Sequence, residues 1–525
     1  MSVLATLEKH IRAQPERLAL RILADGLADG LADGLADGDA PEITLTYGQL
    51  GETLAATGTY LRSLGLKAGD RLAFQLPKGL SFILLHWAAL RLGAISLPLN
   101  PAYPAAELSH FLRDSGARFF FRSADMPPCP VDLPALEKVF TIAADGIEEA
   151  TRFKETACFD TTTPFGPLPL PEQPAVLIYT SGTTGRPKGA LLSHLNLAAN
   201  AAALHDAWGW RRDDVLLHVL PLFHVHGLFV ALQNAWYAGA TVHLRRRFDA
   251  ATTLADLNSG AYSVFMAVPT IHARLMQHLD CRHCDFRHLR LMTSGSDRLP
   301  DTVFQQFEAR FGYRLLERYG MTETGMNLSN PLHGERRRGS VGLPLPGVEA
   351  RIVDRQSGAI LEDDQTPIGE LEIRGAHVFR GYWQNPPATA AAFTADGWLR
   401  TGDLASRAAD GYYTLHGRAN DLIISGGLNI YPAEVERVLT AHPNVAAAAV
   451  IGCSDERWGE RPLAVVVLQK PQLEEAALTA ALRQHCRSQL APYKCPEQYR
   501  FLPELPRNSM GKIQKGPLRA RFASG

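Results

Sequence analysis

Alternating strand-like and helix-like segments predict an α/β protein, and three observations carry that reading. Residues 175–180 (AVLIYT), 215–220 (VLLHVL) and 263–268 (SVFMAV) read as buried strands. Helical stretches follow two of them, over 193–206 and 270–279. Such alternation, sustained over hundreds of residues, stacks helices on sheets. After Asp421 the pattern changes to a compact α+β segment, which places a domain boundary there. The expected fold is therefore a large N-terminal α/β body of layered subdomains, with a small C-terminal α+β domain against it.

Taken in order, residues 1–20 form an amphipathic helix packed on the body. Strand-like runs at 17–22 (RLALRI) and 42–47 (EITLTY) flank four tandem copies of Leu-Ala-Asp-Gly over residues 23–38. A four-residue period is too short for a solenoid unit, and the calcium-binding repeat needs a nine-residue one, so the tract reads as an expanded surface loop. The apolar run 82–90 (FILLHWAAL) stops at Arg91 and is too short to span a membrane. From Gly369 onward the texture turns to Gly-rich strands and turns.

Composition narrows the function. The 525 residues allow three to four structural units. With 53 basic and 54 acidic residues the net charge is −1, which argues against a nucleic-acid binder relying on bulk positive charge. Seven cysteines make no disulfide framework and fit a reducing cytoplasm. The N-terminus lacks the apolar core of a signal peptide, and Glu8 and Glu16 disfavour a mitochondrial presequence.

The strongest local signal is Tyr179-Thr-Ser-Gly-Thr-Thr-Gly-Arg-Pro-Lys-Gly189, after a buried strand and before a helix capped by Ser193. Its glycines let backbone N–H groups approach an anion. Thr180, Ser181, Thr183 and Thr184 add hydroxyl donors around Gly182, and Lys188 adds a compact charge suited to phosphate. The Walker ending, Gly-Lys-Ser/Thr, is missing.

The string resembles the phosphate-binding signature of the acyl-adenylate-forming enzymes, and further matches follow in that family's order. Arg318-Tyr-Gly-Met-Thr-Glu-Thr324 resembles its adenine and magnesium motif, and Thr401-Gly-Asp403 its ribose motif. Gly417-Arg418, Asp421 and the loop Ser425-Gly426-Gly427 resemble its hinge and the coenzyme A side beyond it. Pro506-Arg-Asn-Ser-Met-Gly-Lys512 resembles its catalytic-lysine motif. The resemblance implies a body over residues 1–419, a mobile domain over 420–525 with Asn420 as pivot, and ATP, Mg2+ and coenzyme A as the small-molecule partners. Neither nucleic acid nor membrane is expected. It further implies nucleotide contacts from Gly295, Ser296, Arg318, Tyr319, Gly320, Thr322, Asp403 and Arg418, with Glu323 on the metal.

Several strings, among them LPLFHVHGLFVAL and VPTIHARL, look most like malonyl-CoA synthetases. That resemblance implies His224 near the acyl carboxylate and Arg274 on the second carboxylate. Independently, an arginine early in a helix capped by Thr270 opposes the helix dipole, a penalty that a bound anion would reverse. His224 and His226 lack a third partner spaced for a metal. One departure is Ser294-Gly-Ser-Asp-Arg-Leu299, where relatives usually carry Ala and Pro in place of Asp297 and Arg298. Cys281-Arg-His-Cys284 has no second pair nearby and reads as ordinary thiols. The expected reaction is malonate plus ATP plus coenzyme A to malonyl-CoA, AMP and diphosphate. The alternatives are methylmalonate or another short- or medium-chain acid, transfer to a carrier protein, and a nucleotide-binding protein without turnover.

Attack by a carboxylate needs no base, because the acid is already ionised at neutral pH. The barrier is charge build-up at phosphorus, which a positioned ammonium lowers. Lys512→Ala should therefore slow acyl-adenylate formation at least about a hundredfold; pyrophosphate release near the wild-type rate would refute that role.

Overall fold

The computed structural model describes residues 2–24, 42–124, 126, 133, 135–142, 166–180, 187–278, 284–361, 367–426, 428–455, 457–469, 475–508 and 511–523. The tandem repeat from Asp25 onward, Ser181, Gly182, Thr183, Thr184, Gly427 and Cys281 lie outside the described residues.

Buried strands build two large sheets. The first has nine strands, with Val215–His218, Thr241–Leu244, Val264–Ala267, Leu291–Ser294 and Leu316–Met321 parallel at its centre. Leu18–Ile22 joins it in parallel, and Ile43–Thr46 pairs back on that strand, so the flanks of the repeat form one antiparallel ladder. The second sheet has seven strands around Arg71–Gln75, Ile95–Leu99 and Pro174–Thr180. Parallel strands buried on both faces need continuous apolar sequence, which is why these segments were legible. The run 82–90 lies in the helix Leu80–Arg91, buried on nearly all sides; a helix apolar all round belongs in a core. Trp87 of that helix packs on Trp236, ring centroids 5.4 Å apart. Among the described residues no helix is long and apolar enough to cross a membrane.

A four-stranded antiparallel sheet, from Glu349–Val353 to Tyr413–Arg418, closes the N-terminal body. Beyond it, Gly459–Leu468 and Val445–Asp455 form a long antiparallel pair, with Gln498–Phe501 parallel to the former. Two apolar clusters, Ile423 to Tyr499 and Ala449 to Leu518, consist wholly of residues after Asp421. The chain is an α/β protein with a large N-terminal domain and a small C-terminal one.

Glu317 sits 3% exposed in the strand Leu316–Met321, with Oε1 accepting from the Leu299 N–H at 3.2 Å. Burial lifts its pKa from 4.5 to about 8. Between those values the native state keeps a proton that the unfolded chain has lost, so stability falls as pH rises through that window. Glu317→Gln should flatten the fall, on the order of 1–4 kcal/mol, in denaturant melts at pH 5, 6.5 and 8. Parallel curves for both proteins would contradict the protonated state.

Candidate active site

The strand Leu316–Met321 and the turn after it sort the motif residues. Successive side chains of a strand face opposite ways, so Arg318 and Tyr319 serve different sides. Gly320 admits no side chain, because a Cβ there would lie 2.1 Å from the Gly325 carbonyl oxygen. Glu323 occupies the turn between Leu316–Met321 and Gly325–Ser329, at a hairpin rather than at a helix start.

On the Tyr319 side the separated motifs converge. The Tyr319 hydroxyl donates to Asp403 Oδ2 at 2.5 Å, and Arg418 Nε lies 3.0 Å from Asp403 Oδ1. Arg418 also donates to the Thr401 carbonyl at 2.9 Å, and the Asp403 charge raises its pKa. Tyr382 donates to Glu323 Oε1 at 2.9 Å, while Lys188 Nζ sits 5.2 Å from the Tyr382 ring centroid. Burial raises the pKa of Glu323, and the nearby Arg418 charge opposes that rise. Thr180 Oγ1 donates to the Lys188 carbonyl at 3.3 Å. Lys188, Glu323, Asp403 and Arg418, spread over more than two hundred positions, thus form one linked polar cluster. Tyr382 had no motif to announce it.

The Arg318 side is different. Arg318 is 3% exposed, and its Nε and Nη2 are buried without a hydrogen-bond partner. No described carboxylate forms an ion pair with it. Burial lowers its pKa to about 9. Gly295 lies against the guanidinium, and a Cβ there would fall 2.5 Å from Cζ. Next in sequence, Ser296 holds φ at +71° and brings Oγ to 3.1 Å from His226 Nδ1. His226 Nε2 is also buried without a partner. A π-helix starts at His226, where Gly227 lies so close to Pro221 that a Cβ would meet the Pro221 carbonyl oxygen at 2.0 Å. The His224 ring lies tilted against Phe223, centroids 4.8 Å apart, and burial lowers its pKa to about 4, leaving a neutral imidazole at pH 7.

The C-terminal tail reaches this region. A Cβ on Gly511 would lie 2.7 Å from Thr270 Oγ1, so the turn bearing Lys512 abuts the helix Pro269–Gln277. The Lys512 N–H donates to Asn508 Oδ1 at 3.0 Å, and the Lys512 charge acts on Asp297. Ser425 is buried, and Gly426 packs against Trp458, both on the outer hairpin of the small domain.

Three expectations need correction. Val268 caps the helix Pro269–Gln277, so Arg274 falls in its last turn, where a cation complements the dipole. The dipole argument for an anion at Arg274 therefore fails. The side chain is exposed and stacks on Phe248 at 4.9 Å. Asp403 lies within the strand Leu399–Arg407 rather than in a tight turn, although Gly402 beside it has φ +70°. The glycine-rich string leads into a strand, Lys188–Ser193, antiparallel to Pro174–Thr180, before the helix capped by Ser193.

Residues 7–383 match the AMP-binding enzymes, and residues 434–512 match the AMP-binding enzyme C-terminal domain. The chain belongs to the AMP-binding enzyme family. Among similar members, a mitochondrial malonate–CoA ligase from Bos taurus is 38% identical over 491 residues, covering 86% of this chain and 81% of the relative. A sulfoacetate–CoA ligase from Cupriavidus necator is 37% identical over 483 residues, covering 90% and 91%. The ATP-bound structure of MatB from Rhodopseudomonas palustris superposes with a TM-score of 0.87 at 35% identity, over 100% of this chain and 99% of that one. The apo structure of the same protein gives 0.78 over the same shares. This AMP-binding enzyme is an ATP-dependent, AMP-forming acyl-CoA synthetase.

The close approach of Gly295 to Arg318 gives a direct test. Gly295→Ala must displace the guanidinium or its strand, since contacts that short force neighbours to shift. The KM for the acid should rise at least about tenfold with the circular-dichroism spectrum unchanged. An unaltered KM would show that the approach is not needed.

Proposed function

We propose that this AMP-binding enzyme is a malonate–CoA ligase, making malonyl-CoA, AMP and diphosphate through malonyl-adenylate. The observation that carries the reading is Arg318, a buried guanidinium whose Nε and Nη2 edge lacks a partner. Those two N–H groups form the fork that grips a carboxylate through two parallel bonds. An unpaired buried cation is costly, and the second carboxylate of a short diacid would relieve that cost. Two relatives are named for malonate and sulfoacetate, acids that each place a second anion one methylene from the reacting carboxyl.

In this reading the free carboxylate of malonate rests on Arg318, and the other attacks the α-phosphorus of ATP. A P–O bond forms there as the bond to the β-phosphate breaks, and diphosphate leaves. His224, neutral at pH 7, sits near the reacting carboxylate as a hydrogen-bonding group without adding charge. The Ser181–Thr184 string and Lys188 hold the phosphates, Asp403 and Arg418 the ribose, and the backbone near Gly295, Ser296, Gly320 and Thr322 the base. Glu323 fits one Mg2+: its buried carboxylate is pushed toward protonation, and a cation beside it would reverse that. When bound, the ion neutralises triphosphate charge. Lys512 stabilises the charge growing at phosphorus. The thiol of coenzyme A then attacks the acyl carbon and AMP departs, with Ser425 and Gly426 on the thiol side. The C-terminal domain, residues 420–525, turns about Asn420 in the short helix Ala419–Asp421.

A second reading keeps the same cation but gives it a sulfonate, as in the sulfoacetate relative. Pyrophosphate release with malonate, methylmalonate, sulfoacetate and butyrate separates the two. Malonate should exceed butyrate at least about a hundredfold in kcat/KM, the scale on which a site built for a polar group rejects an analogue lacking it. Arg318→Met should erase that preference while butyrate turnover persists. If Arg274→Ala erases it instead, the distal anion rests on the exposed guanidinium over Phe248.

A further inference from the structure

The loop 294–299 carries Asp297 and Arg298, and both face the C-terminal domain. Ser296, one of two non-glycine residues with positive φ among those described, turns the chain there. Backbone strain of this kind persists only where its surroundings enforce it. After the turn, Arg298 Nη1 donates to the Ala433 carbonyl at 2.7 Å, in the first turn of the C-terminal helix Pro432–Thr440. The Arg298 N–H donates to Asp297 Oδ1 at 2.9 Å, fixing the carboxylate beside the arginine. Asp297 is half-buried; desolvation raises its pKa, the charges of Lys512 and Arg507 on the C-terminal tail oppose that rise, and Glu436 adds to it. Gly511, packed on Thr270, places the same tail turn on the N-terminal domain.

We propose that Asp297 and Arg298 are positioning residues that clasp the C-terminal domain where Lys512 reaches the reacting phosphate. The proposal rests on the acyl-adenylate reading but not on malonate as the acid. Arg298 supplies a directional bond to the helix backbone, and Asp297 supplies the countercharge that draws in the lysine-bearing turn. Neither residue touches substrate in this role.

Only the first half-reaction needs the ammonium at phosphorus; thiol attack on a finished adenylate breaks a bond to carbon. The two half-reactions therefore separate a clasp from a general structural role. Asp297→Asn and Arg298→Ala should each slow acid-dependent pyrophosphate release about ten- to a hundredfold, on the scale of misplacing a catalytic group by about an ångström. Thioester formation from freshly prepared malonyl-adenylate and coenzyme A should stay within about twofold. Arg298→Lys should recover part of the first rate. In a Lys512→Ala background Asp297→Asn should cause no further loss, because coupled residues are non-additive. Equal loss of both half-reactions, or an additive loss on Lys512→Ala, overturns the proposal. If wild-type protein prefers another acid, the same measurements run with that acid and its adenylate. If no acid elicits pyrophosphate release, the adenylating reading itself fails.

Discussion

A guanidinium kept out of water without a countercharge is the constraint around which one side of this site is arranged. Arg318 is almost wholly buried, burial has already lowered its pKa to about 9, and its fork is unpartnered. Its position follows from the strand Leu316–Met321, which is fully enclosed near its start. Alternation along that strand sends Tyr319 to Asp403 and Arg318 to Gly295. Moving the register by one residue would exchange the two sides. The same strand thus supports a polar cluster that is nearly satisfied and a cation that is not. The asymmetry fits a site whose missing partner arrives with substrate.

The satisfied cluster has its own logic. Asp403 accepts from Tyr319 and pairs with Arg418, so its carboxylate is fixed in direction. Tyr382 does the same for Glu323. Preorganised groups cost no reorientation at the moment of reaction. Burial and the Asp403 charge raise the protonation tendency of Glu323, and the Arg418 charge opposes them. Replacing one member alone leaves the others unpaired, so single substitutions here should cost more than the contact they remove.

Much of this was legible in the sequence because it lies in runs. The central strands are continuous apolar segments, and the motif strings are contiguous, so both survive reading without coordinates. What was missed depends on phase or on distance. Arg274 was placed near the start of its helix because Thr270 looked like the cap; the helix begins at Pro269, and nine residues bring Arg274 to the last turn. Arg318 and Tyr319 stand side by side in one motif string, and only the strand shows that they face opposite sides. The pairing of Tyr382 with Glu323 spans two domain layers and leaves no local trace. Asp297 and Arg298 stood out only as a departure from pattern, and their sense needed the position of Ala433.

Two cations remain to be reconciled with one small acid. Arg318 belongs to the rigid sheet, while Lys512 arrives on a turn from another domain. A permanently docked pair of positive charges would bind product anions as well as reactants and slow their release. Dividing the charge between a fixed group and a delivered one avoids this. In the proposed reading the fixed guanidinium selects the acid throughout the cycle, and the lysine contributes only while phosphorus carries the developing charge. Differential binding of this kind lowers a barrier, whereas uniform binding does not. A delivered cation also needs something to hold it for the duration of the step. That requirement is met by a carboxylate beside its landing point and a backbone-directed arginine next to it, the two groups that the loop 294–299 places there.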